Sequence, residues 1–212
     1  MASPSSWIAD VVIHCPGCPE ILAEKKIIKI ADEFCRKTYV WEHTPAPIDI
    51  VAEQGAYDLT LPDNSELVDI SSALLDDRTI QQKPRYWLDQ NYYGWRTAVG
   101  FPAFIFMPDK TSVQLVPAPQ DATEEELQLV LVLTTGLSAA AFPDILSSGD
   151  YFDAIVSGAV AEIGEIHGRA WSGLVDVVRH REKYRAAISN AKFNKAYNPT
   201  HEGLAQQDYF SW

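Results

Sequence analysis

The sequence is short of the residues from which most catalytic and cofactor sites are built. Three cysteines, Cys15, Cys18 and Cys35, occur in 212 residues, an odd and small number that fits a reducing environment better than a disulfide scaffold. The sequon-like Asn198-Pro199-Thr200 is blocked by its proline. Bases are scarce as well: 17 Lys and Arg face 29 Asp and Glu, for a net charge of −12. A protein that wraps a phosphate backbone in a basic groove binds by releasing counterions, and this balance argues against that class. No apolar run reaches the roughly 18 residues of a membrane span. The start, Met-Ala-Ser-Pro-Ser-Ser-Trp, lacks the basic and apolar segments of a secretory signal, so a chain neither secreted nor membrane-embedded is expected.

Chemical motifs are equally sparse. The glycines are isolated, with no Gly-x-Gly-x-x-Gly loop and no Gly-x-Ser-x-Gly elbow. Histidines stand at 14, 43, 167, 180 and 201, none in a metal-type i, i+4 pair. Asp76-Asp77 and Glu124-Glu125-Glu126 read as turn and strand-edge charges, because adjacent acids in a strand point to opposite faces. His167 is expected to end a helix and His180 to lie on the surface beside Arg179 and Arg181. No catalytic residue and no cofactor is expected.

What is present is an ordinary globular composition, 47% apolar and 22% charged, and enough length to bury about 70% of the extended chain's surface. After Pro16-Gly17-Cys18-Pro19, the residues Ile21, Ile27, Ile28, Ala31, Phe34 and Cys35 recur at helical spacing, with Lys25, Lys26, Lys29, Asp32 and Lys37 opposite. Pro45 and Pro47 end that helix. The period then becomes two across 48–51, 56–59, 67–70, 103–107, 113–116 and 127–133, with turn residues between. The aromatic stretch 81–100, holding Tyr86, Trp87, Tyr92, Tyr93 and Trp95, shows neither period and reads as a loop or irregular edge.

A second helix carries Phe152, Ile155, Val156, Ala159, Val160, Ile163 and Ile166 on one face and stops at Gly168. A third starts near Ser172 with Leu174, Val178, Tyr184, Ile188 and Ala191 on its apolar side. The fold class expected is α+β: a three-helix bundle with a β-rich antiparallel insertion, a meander or small sandwich, between the first and second helices. Residues 1–46 and 147–196 would form the helical domain, 47–146 the insertion, and 197–212 an extended tail. Charge follows this division. Residues 47–146 carry 15 acids and 5 bases, net −10, whereas 173–196 carry 2 acids and 6 bases, net +4. Such an asymmetry serves solubility, or it serves subunits that stack on unlike partners.

Two segments invite a sharper function. The two thiols of His14-Cys15-Pro16-Gly17-Cys18 could bind zinc or form a redox disulfide, but a structural zinc site wants four ligands, and only the lone Cys35 and scattered histidines remain. The plainer reading is a rigid turn into the first helix, with Cys18 as a small buried hydrophobe. In the tail, Leu204, Tyr209, Phe210 and Trp212 are aromatic and aliphatic anchors in a polar segment, suited to ordering on a neighbouring subunit or another partner.

Taken in order, four segments resemble the head-to-tail adaptor (connector) proteins of short-tailed bacteriophages, the tail tubular protein A type. They are Pro16-Gly17-Cys18-Pro19 before the helix holding Ala31-Asp32-Glu33-Phe34-Cys35; Pro47-Ile48-Asp49-Ile50-Val51 leading to Gln54-Gly55-Ala56-Tyr57-Asp58-Leu59; Leu115-Val116-Pro117-Ala118-Pro119; and Phe152-Asp153-Ala154-Ile155-Val156-Ser157-Gly158-Ala159 before a long basic helix. The resemblance covers most of residues 15–195. It implies a non-enzymatic virion protein, made in the host cytoplasm and placed in the particle neck. There about twelve copies would ring the axis, between the portal protein and a tail or nozzle protein. Genome DNA would pass through the lumen unbound, which suits a net-acidic subunit. Leu204, Tyr209, Phe210 and Trp212 would meet the portal or the next subunit. The rival readings are a metal or redox module at Cys15, Cys18 and Cys35, and another minor tail or capsid component.

Overall fold

Pro4 opens a single 3-10 turn, Pro4–Trp7, that runs into the short helix α1 (Ile8–Val12). The structure is a computed structural model that describes residues 2–197, the side chains of 123–126 excepted. Trp7 is buried, with its ring 4.9 Å from those of both Phe142 and Phe152. A turn with Gly17 at φ +87° then delivers the chain to α2 (Glu20–Thr38), which ends on Tyr39 in the left-handed conformation. The strands β1 (Glu42–His43), β2 (Ile48–Ile50), β3 (Ala56–Asp58), β4 (Glu66–Leu75), β5 (Arg78–Thr79) and β6 (Gln81–Gln82) follow. Helix α3 (Arg85–Asn91) precedes β7 (Val99–Gly100), β8 (Phe104–Phe106), β9 (Ser112–Val116), β10 (Ala118–Pro119) and β11 (Thr123–Thr134). A 3-10 turn at Asp144–Ser147 leads to α4 (Gly149–Gly164) and finally α5 (Val177–Tyr197).

The chain is therefore α+β as expected, with five α-helices among the described residues where three are legible in the sequence. Strand β11 is the spine of the larger sheet. It pairs antiparallel with β4 on one side, and on the other with β2 near its start and β1 near its end. Leu127 and Leu129 are buried on alternate residues, but from Leu131 to Thr134 every residue is buried. Bulges in the β4 ladder after Val130 and Val132 break the alternation, and α2 packs against this strand. A second sheet has the order β3-β9-β8-β6, with β6 parallel to β8, and β7 and β10 form a two-stranded parallel pair. Buried residues of helices and of both sheets belong to one continuous core, which includes Phe34, Ile105, Leu115, Leu131, Ile155 and Tyr184.

Helix α4 lies deepest. Residues 154–161 are buried without a break, as a helix apolar around its whole circumference must be. It packs against α2, α5 and α1. Gly158 permits close approach of α2 and α5: a Cβ there would lie 2.7 Å from Ile30 Cγ2 and 3.0 Å from Tyr184 Cδ2.

Several expectations need correction. The second helix ends at Gly164, leaving Ile166, His167 and Gly168 in the turn beyond it. The third begins at Val177, so Leu174 precedes it, and Leu174 and Val178 are exposed. Ile21 is exposed too, because α2 buries the stripe Ala23, Ile27, Ile30, Ala31, Phe34 and Cys35, which leaves its first turn outside. Asp32, expected opposite the apolar face, is 8% exposed.

Candidate assembly surfaces

The buried Asp32 is held by partners from β11 and from its own helix. Thr134 Oγ1 on β11 donates to its carboxylate at 2.7 Å, and Arg36 Nε one turn along α2 donates at 3.0–3.1 Å. The Arg36 guanidinium also reaches Glu66 on β4 at 3.3 Å, and Lys110 of the β8–β9 turn reaches the same carboxylate oxygen at 2.6 Å. The hydrogen bond from Lys110, reinforced by Arg36, holds the Glu66 carboxyl below its ordinary range. A second carboxylate ties the helices together, since Glu162 of α4 accepts from Lys26 at 2.7 Å and Lys29 at 2.5 Å on α2. Burial alone would raise the Glu162 carboxyl, but the two ammonium groups outweigh it and leave it lowered. These acids and bases fix one layer on another, and nothing in the arrangement presents a nucleophile to a substrate.

Cys15 and Cys18 lie together, and Cys35 stands apart from them. Cys15 and Cys18 are buried in the turn between α1 and α2, and Cys35 is buried on α2 near Asp32, Thr134 and Thr135. Burial, then the neighbouring Cys18, pushes the Cys15 thiol up to about 11, and burial raises Cys18. Burial, then the Asp32 charge, pushes Cys35 up to about 12. All three are thiols rather than thiolates at neutral pH, the less reactive and less metal-binding form. Among the described residues, no three His, Cys, Asp or Glu side chains form a group that could hold a metal ion.

His180 is half-buried where a surface position was expected. Its ring meets His14 edge-on at 5.0 Å, beside a cavity of about 360 Å³ also lined by Asp10, Asp153, Arg179 and Lys183. Burial lowers the His180 imidazole, and His14, Lys183 and Arg179 lower it further, against an opposing pull from Asp176. The cavity's charges are mixed and partly paired, as in the Lys183 to Asp153 contact of 3.5 Å.

The aromatic stretch is a built lobe instead of a loop. Leu88 of α3 joins Trp95, Phe106 and Val116 in a small separate core, with Trp87, Tyr92 and Phe104 packed on it. Trp95 stands perpendicular to Phe106 at 5.3 Å, and its Nε1 donates to Asp89 at 2.9 Å. Arg96 donates to the same oxygen at 2.6 Å and stacks over the Trp95 ring. The Trp95 and Arg96 hydrogen bonds hold the Asp89 carboxyl below its usual value. Tyr86 and Tyr93 point away from this core and are exposed. The signal for α3 was Pro84 ahead of a proline-free, glycine-free run through Asn91, too short to display a helical period.

Exposed apolar side chains recur elsewhere. In α5, 21 residues long, Tyr184 and Ala191 are the buried residues, and Val178, Phe193 and Tyr197 are exposed. Leu204, Tyr209, Phe210 and Trp212, the expected partner-binding anchors, lie outside the described residues. No described helix is long and apolar enough to cross a membrane. In comparison with known proteins, the model of the family described as SU10 adaptor protein matches residues 22–205. No curated protein matches the chain.

Proposed function

The chain belongs to the SU10 adaptor protein family, a family of phage head-to-tail adaptors, and from that premise we propose that identical copies of it form a ring between the portal and the tail or nozzle, with genome DNA passing through. The observation that carries this reading is the reach of the family match, which runs from the start of α2 through α5 and so takes in helices and strands alike. Its structural role is in the virion neck. In the proposed ring, α2, α4 and α5 are a three-helix bundle and 47–146 an insertion that faces neighbours or tail.

Physical arguments support assembly. A helix of 21 residues is about 30 Å long, and α5, packed on α4 and α2 along one side, leaves most of its residues exposed on the other. Copies related by rotation, each presenting one face to a different face of the next, close into a ring. The net charge of −12 leaves passing DNA without a strong backbone grip. Leu204, Tyr209, Phe210 and Trp212 serve as anchors on the portal or the adjacent subunit.

Mixing the purified chain with its portal protein and weighing the complexes by native mass spectrometry tests this. The expected result is a discrete multi-copy complex, and a chain that binds neither itself nor the portal would overturn the reading. Truncation after Pro199 is expected to reduce the yield sharply, and full yield would remove the anchor role of the tail. One tightly bound zinc per chain in metal analysis would favour the Cys15, Cys18 and Cys35 module instead.

A further inference from the structure

Phe193 and Tyr197 stack on the outer side of α5 with ring centroids 4.5 Å apart, and they are 60% and 71% exposed. Lys192, also exposed, precedes Phe193 on the same turn of the helix. An aromatic pair with a neighbouring cation is the residue chemistry of an interface anchor. At the far end of the larger sheet lies a groove of about 270 Å³ with an apolar floor that includes Ile50, Leu75, Phe101 and Pro119, rimmed by Asp76 and Asp121. Asp77 adds a third exposed carboxylate beside it, against the single Arg78, whose guanidinium lies over the Phe101 ring at 5.1 Å. Phe101 is itself 54% exposed. The groove therefore matches the aromatic pair in polarity, and its acidic rim matches Lys192 in charge.

One copy cannot satisfy both features itself. The end of α5 is tied to β1, where Lys195 Nζ donates to Glu42 at 2.7 Å and to the Tyr39 carbonyl. Glu42 pairs with Val132 of β11, whereas the groove lies where Ile50 pairs with Thr123 on the same strand. Nine residues of strand separate the two points, about 30 Å. An unlike pair of surfaces at opposite ends of a molecule is what a head-to-tail contact requires.

We propose that Phe193, Tyr197 and Lys192 of one copy seat in the groove between β2, β4 and β10 of the next copy, forming the repeated contact of the assembly. The proposal rests on the reading that copies of this chain form a ring, and it names the two faces that meet. Its partner is a second copy of this chain, chosen because the acidic groove and the basic helix are complementary while the chain as a whole is acidic.

Charge reversal on full-length chains, assembled with portal and sized by native mass spectrometry, tests the contact. Lys192→Glu, and separately Asp121→Lys, should each weaken self-association about tenfold, with unchanged thermal melting because both altered side chains are exposed. Both changes in one chain should restore most of the loss. Mixing the two single-face variants should also restore assembly, with the two kinds of copy alternating, since each contact then pairs opposite charges, one in the original sense and the next in the reversed sense. A Phe193→Cys, Phe101→Cys chain should give a ladder of thiol cross-linked multimers, the native cysteines being buried. Reversals without effect, a combined variant no better than its parents, or cross-links to the portal instead would overturn the contact while leaving a ring, if one forms, intact. Failure of the wild-type chain to assemble at all would overturn the ring reading and this contact together.

Discussion

At the scale of single residues, the account turns on a few side chains that fix layers to each other. Gly158 is a tight point at the centre of the helical layer. Alanine there gains helix propensity of about 1 kcal/mol, but its Cβ would meet Ile30, which is 2% exposed, and Tyr184, which is 6% exposed, so neither has room to yield. Overpacking of this kind costs about 1–3 kcal/mol, and Gly158→Ala is expected to lower the denaturant midpoint by a net of about 1 kcal/mol. Thr134→Val removes the hydroxyl that donates to Asp32 and leaves a buried carboxylate short of a donor, a loss of about 1–3 kcal/mol readable in the same assay. Thr134→Ser should restore most of it. Glu66 gives a pH signature. Its folded carboxyl is held below the usual 4.5, so its stabilisation is complete above that value and fades as pH falls through the lowered one. Glu66→Gln should flatten the acid limb of melting temperature against pH, and an unchanged limb would deny Glu66 this part.

At the scale of elements, the turn after α1 meets α5 through His14 and His180. Because the folded His180 imidazole is held below the ordinary 6.5, the fold prefers the neutral ring. That contribution is present above 6.5 and is lost as pH falls through the lowered value. His180→Gln is therefore expected to reduce the fall in melting temperature between about pH 7 and pH 5. The elements also show what a sequence discloses. Helix α2 was legible because its stripe is one-sided, and the Asp76-Asp77 turn because acids tolerate the left-handed conformation, seen here at φ 51° and 56°. Asp32 was misjudged because polarity marks the solvent face only until a partner from elsewhere, Thr134, arrives through the fold. The limits of α5 were misjudged for a related reason. Its apolar residues Val178, Phe193 and Tyr197 face outward, so periodicity had little to track. Helix α3 and α1 are too short for any period, and the separate aromatic core depends on Phe104, Phe106 and Val116, which the sequence places well away from Trp87 and Trp95.

At the scale of the whole molecule, the sequence carried the class and the family resemblance, whereas the surfaces that would make assemblies depend on tertiary placement. A reader of residues 47–146 can count an excess of acids, but cannot see that Asp76 and Asp121, 45 positions apart in the chain, rim one groove. In the proposed ring, the charge division between the strands and α5 gives association a preferred direction, and screening should weaken it. Raising the salt from about 0.05 M to about 0.5 M is expected to lower the rate of ring formation more than its final extent, which light scattering would follow. The most direct measurement is single-particle imaging of the full-length chain mixed with its portal protein. The account predicts a closed ring of equivalent copies on the portal, with α5 of each copy set against the strands of the next. Particles of bare portal beside a monomeric chain would contradict it.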